Sequence, residues 1–245
     1  MALSNEMVRV GNWFFRWRSY LPLLLAVLFL LALQDFRRLT SEPATDRLWE
    51  LFCLLVASLG LMIRIMTVGY APRGTSGRNT TRQVAEVLNT TGMYSIVRHP
   101  LYVGNFIMWL GISLFFHLWW FTLLISLIFW GYYEKIMYAE EDFLKQKFPD
   151  QFPAWADQTP LFIPRFSQWR APQLGFSVKS ALKREYSSFF AMIAIFTGLK
   201  VLTGLRVDRT FSPDAMWTAI FSSSLGIYLL IRFLKKKTHL LDDDR

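Results

Sequence analysis

Residues 101–133, "LYVGNFIMWLGISLFFHLWWFTLLISLIFWGYY", hold no Asp, Glu, Lys or Arg, and only "FHLWW" around His117 interrupts their apolar character. At ~1.5 Å rise per residue, about 20 apolar residues cross a ~30 Å hydrocarbon core, so this stretch is long enough for two passes joined at a tight turn. The reading is a helical hairpin. Working outward, further apolar runs cover 20–36, 48–68, 187–205 and 213–234, the last two interrupted by Lys200 and by the Ser222-Ser223-Ser224 cluster. The expected fold is therefore all-α, a multi-pass integral membrane protein with about six transmembrane helices. The composition agrees: of 245 residues, 53% are hydrophobic and only 18% charged, too apolar for an ordinary soluble domain. No cleaved signal peptide is expected, because the first run begins near residue 20 without a small-residue cleavage site after it.

Lys and Arg placement gives the orientation. With the N-terminus inside, three basic residues precede the first span, four lie in 73–98, eight in 135–184 and five from 232 onward, whereas the outside loops hold Arg37, Arg38, Arg47, Arg206 and Arg209. Both termini are expected to be cytoplasmic. The net charge of +9 then places basic residues beside anionic headgroups and requires no nucleic-acid partner. Cys53 lies alone in an apolar span, and His99, His117 and His239 are too scattered for a metal cluster, so no metal is expected. Arg64 and Lys200 fall near span ends and are expected to snorkel to the interface.

Three segments organise the chain. Residues 1–68 join an aromatic, arginine-bearing interfacial helix to the first two spans. Residues 69–166 contain an Arg-, Gly- and Thr-rich loop, the hairpin, and an aromatic segment punctuated by Pro149, Pro153, Pro160 and Pro164 that reads as a lid. Residues 167–245 form a basic linker, two C-terminal spans and a tail.

The hairpin brings "RHP", Arg98 to Pro100, to the same membrane face as Glu140 and Glu141. Pro100 suits a first helical turn, so the amides of Leu101 to Val103 are expected to be free for an anion, with Arg98 reinforcing them. In the preceding loop, Arg73, Arg78 and Arg82 with Gly74 and Gly77 add positive charge and convergent amides. Cations facing two carboxylates suit a zwitterion. S-adenosylmethionine is one, and Tyr94 or Tyr102 could face its sulfonium.

At this point the sequence resembles the integral-membrane isoprenylcysteine carboxyl methyltransferases and their relatives among the phospholipid methyltransferases. The resemblance spans roughly residues 64–164 and rests on "NTTGMYSIVRHPLYVGN", on "EEDFL", and on the Phe/Trp spacing that ends in "PLFIP". It implies that Arg98, His99, Tyr102, Gly104, Glu140 and Glu141 contact S-adenosylmethionine in a cytoplasm-facing cleft, Gly104 giving the cofactor close access to the backbone. Arg98 and Glu141 are the expected catalytic groups. Arg73, Arg78, Arg82, Asn105, Trp155 and Gln158 are the expected contacts to a lipid or lipid-anchored acceptor, with O-methylation of a phosphate or carboxylate favoured by the arginine-rich loop.

Three departures separate the chain from the carboxyl methyltransferases. Gln158 stands where that group has an arginine, Pro149, Phe152 and Trp155 stand in place of its glycine and tyrosines, and two spans follow the final motif. Other readings remain open: an NADPH-dependent sterol-type reductase, which would bring more phosphates to the arginine-rich loop, or a transporter or scaffold using Arg64 and Lys200 as intramembrane charges.

Overall fold

A computed structural model describes residues 2–18, 20–37, 43–72, 75, 83–211 and 214–242. These residues form helices and connections with no strand among them. α1 is Ala2–Trp17, α2 Leu25–Asp35, α3 Pro43–Tyr70, α4 Met93–Ile96, α5 Pro100–Leu114, α6 Trp119–Lys147, α7 Phe152–Gln158, α8 Val178–Val207 and α9 Ala215–Lys237. Among the described residues three helices, α3, α8 and α9, are long and apolar enough to cross a membrane. With the shorter apolar α2 and α5, they make this an integral membrane protein.

The described residues do not confirm all of the about six spans expected from the sequence. The first run is a 3-10 turn, Leu21–Leu24, followed by the 11-residue α2, and α5 has 15 residues. At ~1.5 Å per residue neither reaches across ~30 Å. The fifth run also differs: α8 begins at Val178, inside the expected linker, because the Ser177 hydroxyl accepts from the Ser180 amide and caps the helix there.

α5 and α6 form the expected hairpin. The chain reverses at His117, whose φ is +59°, and the arms meet through Phe116–Phe121, Phe106–Phe129 and Tyr102–Tyr133 ring contacts. α3 packs against α5 most closely where Gly60 and Gly104 face each other. A Cβ on Gly60 would stand 2.5 Å from the Gly104 carbonyl, and one on Gly104 would stand 2.7 Å from the Gly60 carbonyl and 2.6 Å from Arg64 Cγ. Small residues let two helix backbones approach in this way inside a membrane. Gly104 thus serves a helix contact, and its expected role of admitting a cofactor to the backbone does not match this position.

α1 packs along α6, with Phe15 buried and the Tyr132 hydroxyl donating to the Phe14 carbonyl at 3.2 Å. The expected interfacial helix is therefore also part of the tertiary core. Away from this end, the larger aromatic cluster of Phe29, Phe115, Phe116, Phe121, Phe196 and Trp217 ties α2, α5, α6, α8 and α9 together.

Neither intramembrane cation snorkels. Lys200 lies 2.5 Å from the Glu50 carboxylate, whose other oxygen accepts from the Trp217 indole at 2.7 Å. Arg64 is held bidentately by Glu185, through Nε at 2.9 Å and Nη2 at 2.8 Å. Glu50 and Glu185 are both buried, so each cation neutralises a carboxylate that would otherwise be unpaired in an apolar interior.

Candidate active site

Pro100 starts α5 directly after His99, and the long α6 returns the chain so that Glu140 and Glu141 come to stand beside it. Arg98 Nη1 donates to Glu141 Oε2 at 2.9 Å, and His99 Nε2 lies 3.0 Å from Glu141 Oε1. His99 Nδ1 is 3.5 Å from Glu140 Oε2, while the Tyr102 hydroxyl donates to Glu140 Oε1 at 2.7 Å. Arg18, at the end of α1, approaches the same carboxylate to 3.8 Å.

The segment after α6 straps over this cluster. The Trp155 indole donates to the Tyr94 carbonyl at 3.1 Å, the Arg98 amide to the Pro160 carbonyl and the Arg165 amide to the Ile96 carbonyl, both at 2.9 Å. Phe162 adds edge contacts to Phe106 and Trp130. The "PLFIP" segment thereby holds the "RHP" loop from outside.

These elements enclose a cavity of about 600 Å³, within the range of small-molecule sites. It is lined by Tyr94, Arg98, His99, Tyr102, Glu140 and Trp155, with Phe15 and Arg18 from α1. Arg64, Asn105 and Tyr133, with Arg184, Glu185 and Ser188 from α8, line it too. The structure brings Tyr94, Arg98, His99, Tyr102, Glu140 and Trp155 of the expected site residues to the cavity wall, together with Asn105. Glu141 pairs with Arg98 and His99 and is not among the residues that line the cavity. Gln158 is exposed and off the wall. Arg73, Arg78 and Arg82, with Gly74 and Gly77, lie outside the described residues.

The expected free amides at the start of α5 also differ. The Tyr102 and Val103 amides both donate to the His99 carbonyl at 3.1 Å. Side chains therefore make the charged surface here, not a helix terminus. Four wall residues had no sequence signal of function: Phe15 and Arg18 read as interfacial, and Arg184 and Glu185 read as linker. Only the tertiary packing of α1 and α8 reveals them.

Burial opposes charge on His99, but hydrogen bonds to Glu140 and Glu141 and their negative charges outweigh it and raise its pKa above the usual 6.5. A group raised on folding contributes its full stabilisation below the unfolded value and loses it as pH rises through the folded value. Thermal stability in mild detergent is therefore expected to fall as pH is raised above 6.5, and His99→Gln is expected to flatten that slope. A slope unchanged by the substitution would assign the effect elsewhere. Burial likewise pushes the Tyr94 hydroxyl up, so this ring stays neutral and can present its face to a cation.

An all-helical membrane protein with a polar cavity built from one helical hairpin and its flanking loops is the class defined by fold and site. Comparison narrows it. The family model for phospholipid methyltransferase matches residues 53–151, which contain the hairpin and both ends of the Arg98–Glu141 cluster. The nickel-cobalt-cadmium resistance protein NccN of Alcaligenes xylosoxydans xylosoxydans is 33% identical over 135 residues, 54% of this chain and 60% of that protein. The cobalt-zinc-cadmium resistance protein CzcN of Cupriavidus metallidurans is 34% identical over 119 residues, 47% of this chain and 52% of that protein. The protein-S-isoprenylcysteine O-methyltransferase of Schizosaccharomyces pombe is 36% identical over 83 residues, 34% of this chain and 35% of that protein. The chain thus covers less than two thirds of each of these relatives. No solved structure matches.

Proposed function

We propose that the protein transfers a methyl group from S-adenosylmethionine to the headgroup of a lipid or lipid-anchored substrate, at the cytoplasmic leaflet. The observation that carries this reading is that Arg98, His99, Tyr102 and Glu140 line one cavity, with Tyr102 and His99 meeting the Glu140 carboxylate. The residues fit the cofactor: Arg98 Nε is buried with no partner among the described residues, a donor suited to a carboxylate, and Glu140 is a carboxylate suited to an ammonium. Tyr94 and Tyr102 supply ring faces toward a sulfonium.

When bound, S-adenosylmethionine supplies the methyl carbon, which bonds to an acceptor lone pair as the carbon–sulfur bond breaks and its electron pair stays on sulfur, leaving S-adenosylhomocysteine. The chain's own residues position and shield. Arg98 and Glu140 fix the two charged ends of the amino-acid portion, and Trp155 with the strapped "PLFIP" segment excludes water, so proximity and alignment provide most of the acceleration. On the wall, Arg18, Arg64, Arg98 and Arg184 outnumber Glu140 and Glu185, which favours an anionic oxygen acceptor. Such an oxygen has no proton to lose, and no general base is then required. Because Arg64 and Lys200 each neutralise a buried carboxylate, they give no support to a transport pathway.

Calorimetry with S-adenosylhomocysteine in mild detergent, set beside NADPH, tests the cofactor. Methyl-labelled S-adenosylmethionine added to the protein in vesicles of total lipid from the expressing cells, with mass spectrometry of the labelled lipid, tests the acceptor. Heat from S-adenosylhomocysteine and a labelled lipid are expected. No binding, or stabilisation by NADPH alone, would overturn the reading.

A further inference from the structure

Asn105, one turn into α5, sits between a cation and a phenol. Arg64 Nη1 donates to its Oδ1 at 2.6 Å, and its Nδ2 donates to the Tyr133 hydroxyl at 3.2 Å. The two ends of an asparagine amide are ordinarily hard to tell apart, but chemistry decides here. A guanidinium has donors and no acceptor, so the amide oxygen must face Arg64 and the amide nitrogen must face Tyr133. The Tyr133 oxygen is therefore an acceptor in this bond, and its own proton must be directed elsewhere. Among the described residues Asn105 is the hydroxyl's hydrogen-bonding partner, and Tyr133 lines the cavity.

The polarity is imposed from outside the hairpin. Glu185, 4% exposed on α8, takes Nε and Nη2 of Arg64 and leaves Nη1 for Asn105. Glu185 lies beyond the matched residues 53–151, so α8 builds part of the cavity. The Tyr133 ring is 4.7 Å from that of Tyr102, whose hydroxyl binds Glu140. This donor therefore stands on the same cavity wall, beside the Tyr102–Glu140 pair.

The geometry points to Tyr133 as the hydrogen-bond donor to an oxygen of the bound methyl acceptor, with Glu185, through Arg64 and Asn105, as the positioning residue that aims it. The inference rests on the methyltransferase reading and names the acceptor's chemistry: a carboxylate or phosphate group. Such a group can accept from Tyr133 on one oxygen and attack the methyl carbon with a lone pair of another. A neutral amine has a single lone pair, and the same hydrogen bond would occupy it and oppose transfer.

Asn105→Asp tests this with almost no change in shape. Aspartate still accepts from Arg64 but cannot donate to Tyr133, so the hydroxyl turns to donate to Asp and its proton leaves the cavity. Because aspartate also adds a second carboxylate to a guanidinium already paired with Glu185, Tyr133→Phe, which removes the donor without adding charge, is measured beside it. The measurement is label transfer from methyl-labelled S-adenosylmethionine to vesicles of total lipid from the expressing cells, beside calorimetry with S-adenosylhomocysteine. Asn105→Asp and Tyr133→Phe are each expected to lower transfer about tenfold to a hundredfold with S-adenosylhomocysteine affinity unchanged, the size of one hydrogen bond to a charged group. The double variant is expected to lose no more than either single one. Wild-type transfer by both variants would overturn the inference while leaving the methyltransferase reading intact. Label found on nitrogen would overturn it too, and absence of transfer by the unaltered protein would remove the reading and the inference together.

Discussion

Glu140→Gln is expected to weaken S-adenosylhomocysteine binding by about tenfold to a hundredfold, the range set by a charge-assisted hydrogen bond worth ~1.5–3 kcal/mol. Glu140 lines the cavity and gathers Tyr102, His99 and Arg18 around one carboxylate. Neutralising it removes the group best placed to hold an ammonium and also one of the two charges that keep His99 protonated. Glu141→Gln makes the informative contrast. Its carboxylate pairs with Arg98 and His99 and does not line the cavity, so its loss is expected to weaken binding less and to act through the placement of Arg98. Calorimetry on both variants, with the His99-dependent pH slope as a second readout, separates the two. Equal losses would mean that the carboxylates act as one unit, without the division of labour that their positions indicate.

The hairpin and its pairing were legible because they depend on local rules. A charge-free stretch with one break at His117 makes two antiparallel helices, and a proline after Arg98-His99 fixes where the first begins. Sequence distance then delivers Glu140 and Glu141 to the same end. What was hidden depends on tertiary choices. Arg18 looked like any interfacial arginine because nothing in residues 1–18 says that the helix docks on α6. Glu185 looked like part of a polar linker, since a single carboxylate among Lys179, Lys183 and Arg184 has no periodic signature. Its meaning comes only from Arg64, far away in sequence, which needs an anion where the membrane would otherwise force it to snorkel. The first apolar run failed as a span for a local reason: Pro22 falls in the 3-10 turn, and only Leu25–Asp35 continues as α-helix.

Arg64→Met is expected to destabilise the protein by ~3–5 kcal/mol, because it strands a buried carboxylate without its cation. Glu185 is 4% exposed and both of its oxygens are bonded to Arg64, so removing the guanidinium leaves the carboxylate without its cation. Replacing both partners, Arg64→Met with Glu185→Leu, is expected to restore most of the stability, since a buried ion pair exchanged for apolar groups of similar volume is often neutral. Thermal unfolding of the two variants in mild detergent, together with Glu185→Leu alone, gives the coupling between the sites. Function should not follow stability in this series. The double variant has no guanidinium to hold the Asn105 amide oxygen, so the amide is free to rotate and the Tyr133 proton is no longer committed to the cavity. A restored melting temperature with methyl transfer still lost would show that the pair orients chemistry. Recovery of both would reduce it to a staple between two helices.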